Sequence, residues 1–171
     1  INGQTMGTTY SITFRQQLND KNLIKSQIDS ILINTNNIFS TYDTNSELSK
    51  INKSKFKTIP LSDDFSYVLN KALNYCTISK GSYDITIGPL VKLWNFENFE
   101  HKEIPAKENI IKTLDLVGYE KISINNKMLY KKNNVIIDLN SIAKGYAVDI
   151  IYNYLKKMSL ENFLIEIGGE I

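Results

Sequence analysis

The sequence has little of the chemistry that builds metal centres and covalent cross-links. It contains one cysteine, Cys76, and one histidine, His101. An internal disulfide framework and a cysteine-based zinc site are therefore excluded, as is a metal site with several histidines. Any metal site must use oxygen ligands, which suit a hard ion such as Mg²⁺.

Long apolar runs and an excess of one charge are also missing. No window approaches about 18 uncharged apolar residues, so the sequence predicts no membrane-spanning helix. The 20 basic and 18 acidic side chains leave a net charge of +2. Because the steering of nucleic acid needs a larger or more clustered excess, this balance argues against nucleic-acid binding as the main function.

The 171 residues do contain enough apolar material for a core. Hydrophobic residues make up 42% of the chain, and isoleucine alone occurs 25 times. This composition predicts a folded domain and excludes disorder as the main state.

Apolar periodicity predicts the elements of this domain. Alternation of apolar and polar residues at 8–15 predicts a strand. Helical spacing predicts a long helix at 21–37 with Asp20 as its N-cap. It predicts a second long helix that begins after the N-cap Ser62 and has Gly81 as its C′ residue. The other predicted elements are a short helix at 46–52, an extended segment at 82–88, a helix with Pro105 at N1, β segments at 121–124, 128–131 and 135–139, a helix at 141–158 and a strand at 163–167. This order predicts an α+β fold with a largely antiparallel sheet flanked by helices.

The most informative segment for chemistry runs from Asp138 to Gly145, at a predicted strand-to-helix junction. Asn140 or Ser141 would cap the helix, whose free backbone N–H groups favour an anion. Lys144 lies near that positive end, where a bound oxyanion would offset its repulsion. Asp138 would then bind a ligand or orient Lys144. The alternative is a simple ion pair between Asp138 and Lys144, with an ordinary cap.

Three further segments combine polar and turn-forming residues. In chain order they are Met6-Gly7-Thr8, Ser40-Thr41-Tyr42-Asp43 and the run from Gly81 to Leu90. Each also has an ordinary structural explanation. The first could be a loop that enters a strand, the second a turn with a packed tyrosine, and the third an exposed strand face on which Asp84 and Thr86 alternate with isoleucines.

Together, in this order, these segments resemble those of the FAD:protein FMN transferases, the ApbE-like flavin transferases, and the match at Ser40 continues through Ser46-Glu47-Leu48-Ser49. Glu166-Ile167-Gly168-Gly169-Glu170 resembles a further segment of that family. The resemblance implies an ApbE-like fold and Mg²⁺-dependent transfer of the FMN moiety of FAD to a Thr or Ser hydroxyl of a target flavoprotein, with release of AMP. It leaves two alternatives open: an FAD pyrophosphatase that yields FMN and AMP, and a non-catalytic FAD-binding protein.

The resemblance also implies roles for individual residues. Ser141 is the implied metal ligand, through its backbone carbonyl, and Lys144 and Asp138 are the implied catalytic residues. The residues expected to contact FAD are Met6, Tyr42, Ser82, Tyr83, Asp84, Asp138 and Lys144.

Further expectations concern the protein's context. Family members continue past the Gly-Gly segment, so residues 1–171 are expected to be the amino-terminal portion of such a domain, poorly active alone. The expected partner is a target subunit of a membrane redox complex, with a homodimer possible. The expected location is the periplasmic side of the inner membrane, with a lipid anchor in the full-length precursor.

Overall fold

The computed structural model describes residues 1–95, 104–132 and 134–171, and His101 lies outside them. The helices are α1 (Lys21–Phe39), α2 (Glu47–Lys53), α3 (Asp63–Ile78), α4 (Gly88–Trp94), α5 (Lys107–Leu114) and α6 (Asn140–Lys157). The strands are β1 (Asn2–Thr5), β2 (Thr8–Phe14), β3 (Thr58–Pro60), β4 (Ile122–Asn125), β5 (Met128–Lys131) and β6 (Phe163–Ile167). No helix in this described part is both long and apolar enough to cross a bilayer.

The chain divides into two compact units, and the first combines residues 1–49 with 140–171. Its antiparallel sheet has the order β1-β2-β6, with Tyr10 opposite Ile167 and Ile12 opposite Ile165. Alternate side chains of β2 and β6 therefore point into one core, which the apolar stripes of α1 and α6 complete. Helix α1 begins as predicted, since the Asp20 carboxylate accepts a hydrogen bond from the Leu23 amide at 2.9 Å.

The second unit spans residues 50–139 and contains an antiparallel sheet of order β3-β5-β4. Asn126 and Lys127 join β4 to β5 with positive φ angles of 48° and 58°. Ser62 caps α3 as predicted, accepting from the Phe65 amide at 3.2 Å. The α+β class and the antiparallel pairing are confirmed, and the strands lie in two small sheets.

The end of α3 corrects one prediction. Lys80, not Gly81, is the C′ residue, with φ of 53°. Gly81 follows it and donates to the Cys76 carbonyl at 2.9 Å, while Lys80 donates to Thr77 at 3.1 Å. These two bonds form a Schellman ending, which satisfies carbonyl groups in the last turn.

Two predicted extended segments are not strands. At 82–88 the chain forms turns and then enters α4 at Gly88. At 135–139 the backbone lies outside both sheets, because other partners take its hydrogen bonds: the Asn52 carboxamide donates to and accepts from Ile137, both at 2.8 Å. The predicted Pro105 start of α5 is also wrong, since that helix begins at Lys107 with Ala106 as its N-cap residue.

Candidate functional site

The first unit contains a cavity of about 490 Å³, a size typical of sites for small ligands. Three parts of the unit form its wall: the turn between β1 and β2, the end of α1 with the following loop, and the first turns of α6. The lining residues are Met6, Gly7, Asn36, Phe39, Ser40, Thr41, Tyr42, Asn140, Ala143 and Lys144. The cavity thus brings together three of the residues predicted to contact FAD: Met6, Tyr42 and Lys144.

Met6 reaches the cavity because it lies in a tight hairpin turn. Met6 and Gly7 have φ angles of 49° and 71°, and Thr5 and Thr8 pair on either side. This geometry matches a two-residue hairpin, in which both central residues take positive φ. Asn36 ties the turn to α1, since its side-chain amide donates to Thr5 Oγ1 at 3.1 Å.

Tyr42 lies in a loop that its own hydrogen bonds hold in place. Ser40 Oγ accepts from the backbone amides of Tyr42 and Asp43 at 3.2 and 3.0 Å. The Ser40 carbonyl accepts from the Ser46 hydroxyl at 2.6 Å. The Tyr42 side chain nevertheless remains 73% exposed. An ordered loop therefore presents an uncovered aromatic face, which can stack on a planar ring.

The first turns of α6 supply the polar side of the cavity. Asn140, Ala143 and Lys144 line it, so the amino-terminal end of the helix, with its positive dipole, borders the cavity. Deeper in the unit, Tyr146 packs edge-on against Phe39, with ring centroids 5.6 Å apart. Because Phe39 lines the cavity, this contact joins α6 to α1 at the cavity wall.

Lys144 has an ionic partner to which the sequence analysis gave no role. Its Nζ lies 2.8 Å from Glu170 Oε2, and both side chains are partly exposed. That carboxylate oxygen is itself buried, and the contact is an ion pair rather than a well-aligned hydrogen bond. In the sequence, Glu170 is only the last residue of the segment that contains Gly168 and Gly169, so nothing there identifies it as the partner of Lys144.

The other predicted FAD contacts, Ser82, Tyr83, Asp84 and Asp138, belong to the second unit. The Asp84 carboxylate closes a turn, accepting from the Thr86 amide and hydroxyl at 2.8 and 2.6 Å, and it also accepts from the Tyr119 amide at 2.9 Å. Thr86 is fully buried, so the alternative of an exposed strand face with Asp84 and Thr86 is wrong.

Asp138 lies beside this turn in the second unit. Its backbone amide donates to the Ile85 carbonyl at 2.7 Å. Nearby, Ser82 is exposed, and Tyr83 packs edge-on against Tyr75 with centroids 6.4 Å apart. The unit thus brings the segment around Asp84 close to Asp138.

The described residues do not by themselves fit a Mg²⁺ ion. Ser141 is exposed in the first turn of α6, where it would supply one oxygen. Across residues 1–95, 104–132 and 134–171, no three His, Cys, Asp or Glu side chains group closely enough to hold a metal. Since Mg²⁺ requires near-octahedral oxygen coordination, this part of the chain offers too few ligands.

Two cavity residues were missed by sequence reasoning. Asn36 and Phe39 lie in the last turn of α1, and Phe39 is almost fully buried. Their spacing of three residues is typical of a helix face that packs on a core. Only the position of the β1–β2 turn and of α6 shows that this face also borders a cavity.

Comparison with known proteins gives the same family from sequence and from structure. The family model described as "ApbE family" matches residues 6–171. The curated FAD:protein FMN transferases of Vibrio cholerae and Haemophilus influenzae are each 35% identical over this whole chain, which covers 53% of either relative. The chain therefore spans about half the length of these relatives.

Solved structures are similar over the same span. The flavin transferase ApbE from Vibrio cholerae matches with a TM-score of 0.93 and 34% identity, covering 99% of this chain and 56% of that one. The apo Pseudomonas stutzeri flavinyl transferase ApbE matches with a TM-score of 0.90 and 29% identity, covering 99% and 58%.

Proposed function

Because the chain belongs to the ApbE family, we propose that it binds FAD and serves in transfer of the FMN moiety to a Thr or Ser hydroxyl of a target flavoprotein, with release of AMP. The observation that carries the proposal is the cavity of the first unit. There the amino-terminal end of α6 and the Lys144 ammonium border the same space as the exposed ring of Tyr42. A dinucleotide with planar rings and a diphosphate has matching parts.

The polar side of the cavity suits the diphosphate. Backbone N–H groups at a helix start bind phosphate oxygens, and an ammonium neutralises their charge. The polar residues Asn36 and Asn140 also line this cavity. On the other side Tyr42 and Met6 offer an aromatic face and a polarisable thioether to a planar ring.

The proposed reaction is an in-line displacement at the phosphorus that carries riboflavin. The target hydroxyl oxygen forms the new P–O bond, the P–O bond to AMP breaks, and AMP leaves with the bridging oxygen as the hydroxyl loses its proton. Catalysis of such a transfer is mostly positioning and charge neutralisation. Lys144 would stabilise charge on the phosphate oxygens or on the leaving AMP.

Asp138 is proposed as the second catalytic residue, by resemblance. Its amide donates to the Ile85 carbonyl, so within the second unit it lies beside the Asp84 turn. By the same resemblance we propose that Ser82, Tyr83 and Asp84 contact FAD. We propose Mg²⁺ dependence on the same ground, with Ser141 as one ligand. No step here is routed through the ion, because the described residues supply too few ligands.

The wider context stays a prediction from family resemblance. It comprises the role as the amino-terminal portion of a longer domain, a target subunit of a membrane redox complex, a homodimer, and a lipid-anchored location on the periplasmic side of the inner membrane. Fractionation of the native cells and an intact mass of the native protein would test the location and the anchor.

The binding part of the proposal is tested by titrating the chain into FAD and following flavin fluorescence. Tyr42→Ala and Lys144→Met should each weaken binding by about 5–30-fold, since a ring contact or a charge-assisted bond contributes roughly 1–2 kcal/mol. Tyr67→Ala is the matched control, because Tyr67 is 54% exposed and does not line the cavity. If neither cavity variant differs from this control, FAD does not bind in this cavity.

The chemical part is tested by AMP release from FAD and Mg²⁺ with and without a target domain. Release that requires the target, together with covalent flavin on it, supports the transferase, whereas release without it indicates the pyrophosphatase. One observation favours the non-catalytic alternative for residues 1–171 alone: their described part has no metal-binding cluster. Mg²⁺-independent FAD binding without AMP release would select that alternative.

A further inference from the structure

Only one member of the ion pair between Lys144 and Glu170 lines the cavity. Lys144 lines the cavity, but Glu170 is not among the lining residues. The Nζ–Oε2 distance is 2.8 Å. The carboxylate therefore holds the ammonium from outside the cavity wall. An ammonium has three donors, so this contact leaves others for a ligand.

Glu170 is fixed by a rigid turn at the end of β6. Ile167 and Glu170 exchange backbone hydrogen bonds of 2.9 and 3.1 Å, across Gly168 and Gly169 with φ angles of 54° and 98°. The Gly168 amide also donates to the Thr9 carbonyl at 3.1 Å, which ties the turn to β2. The backbone that carries Glu170 is thus set by the sheet.

We propose that Glu170 is a positioning residue that holds the Lys144 ammonium at the cavity wall for the diphosphate of FAD; this inference rests on the proposed function. Lysine is long and flexible, and ordering such a side chain on binding has an entropic cost. The positive end of α6 repels the ammonium as well. Without a fixed anion behind it, Lys144 would turn toward solvent, and FAD would have to order it.

A carboxylate near a diphosphate can also act in the opposite way. If Glu170 competed with phosphate for the ammonium, its removal would tighten FAD binding. The two roles predict opposite signs for one substitution, so a double-mutant cycle separates them.

The experiment measures FAD affinity for the whole chain and its Glu170→Gln, Glu170→Asp, Lys144→Met and double Lys144→Met/Glu170→Gln variants. With Lys144 present, Glu170→Gln should weaken binding by about 3–10-fold, the cost of ordering one long side chain. Glu170→Asp should fall between Gln and wild type. In the Lys144→Met background, Glu170→Gln should cause no weakening, because the residue it positions is gone.

A second readout reports on Lys144 without FAD. The labelling rate of its amine, followed by peptide mass spectrometry, should rise in Glu170→Gln because the freed amine is more accessible. Asp63→Asn is the matched control: it breaks another ion pair, 2.6 Å from Lys127, and does not touch a cavity-lining residue. It should change neither the FAD affinity nor the Lys144 labelling rate.

The outcomes separate this inference from the proposed function. A wild-type chain that binds no FAD overturns the proposed function, and labelling alone then decides whether Glu170 holds Lys144. If wild type binds FAD but Glu170→Gln leaves the affinity unchanged or tightens it, the positioning role is overturned while FAD binding stands. An unchanged Lys144 labelling rate in Glu170→Gln overturns it as well.

Discussion

Replacement of Asn52 by alanine should destabilise the second unit more than its partly exposed position suggests. The Asn52 carboxamide donates to the Ile137 carbonyl and accepts from the Ile137 amide, both at 2.8 Å and across 85 residues of chain. Ile137 is 1% exposed. The two bonds take the place that a neighbouring strand would have, and they fix the backbone just before Asp138.

The expected loss follows from the groups that alanine leaves behind. A buried donor and a buried acceptor of Ile137 would lose their partner, at about 1–3 kcal/mol each before relaxation. Allowing for partial hydration, the free energy of unfolding should fall by about 2–4 kcal/mol. With a urea dependence of about 1–3 kcal/mol per molar for a small protein, the midpoint should fall by about 1–2 M.

Urea unfolding followed by circular dichroism measures this change. Asn70→Ala is the matched control, because the Asn70 amide donates to a carbonyl within its own helix from an exposed position. That change should stay within about 0.5 kcal/mol. Asn52→Asp keeps the acceptor but loses the donor, and should lie between alanine and wild type. An Asn52→Ala midpoint that coincides with the Asn70→Ala midpoint would refute this account of the 135–139 segment.

Three further predictions concern the first unit. Burial acts to raise the pKa of the Asp29 carboxyl, but hydrogen bonds from Lys25 and Tyr10 outweigh it and hold the pKa below its ordinary value of 3.8. The stability that the Asp29 carboxylate adds is present above that value and is lost as the pH falls through its lowered pKa. Asp29→Asn should therefore make the free energy of unfolding less dependent on pH between about pH 5 and 2, the window typical of a salt-bridged carboxylate. Gly168→Ala places a Cβ 2.6 Å from Thr8 Cγ2 at a φ of 54°. The free energy of unfolding should therefore fall by about 1–2 kcal/mol, which lowers the thermal midpoint by several degrees. Tyr42→Phe should bind FAD within about twofold of wild type in the fluorescence titration, because stacking uses the ring and not the hydroxyl.

The elements predicted well are those whose own residues carry the pattern. The stripe of α1, the stripe of α3 and the alternation of β2 each describe a buried face that the sequence alone displays. In contrast, β1 and β3 have little apolar alternation, and they form because a neighbouring strand offers its edge. The 135–139 segment shows the converse error: its side chains other than Asp138 are apolar and mostly buried, but Asn52 and Ile85 take its backbone hydrogen bonds.

The same distinction separates the site residues that were predicted from those that were missed. The family resemblance implied FAD contacts at Met6, Tyr42 and Lys144, which lie in segments with turn, loop and helix-start signals, and all three line one cavity. Phe39 was missed because the predicted helix ended at residue 37, whereas α1 continues to Phe39. Glu170 was missed as a partner because an ion pair across 26 positions leaves no mark in a local pattern.

The charge arrangement at the cavity wall limits what the cavity can bind. A cation near a helix start is destabilising by about 0.3–1 kcal/mol, and Glu170 offsets this for Lys144 in the free chain. Because the Lys144–Glu170 pair is neutral as a whole, the wall carries little net charge while it still offers hydrogen-bond donors. A bare phosphate therefore gains little from long-range attraction to this wall. A ligand that also fills the aromatic side at Tyr42 gains from both walls at once. This combination favours a dinucleotide with rings over a simple anion, and under the proposed function the Lys144–Glu170 pair would take part in selecting FAD as well as in holding its diphosphate.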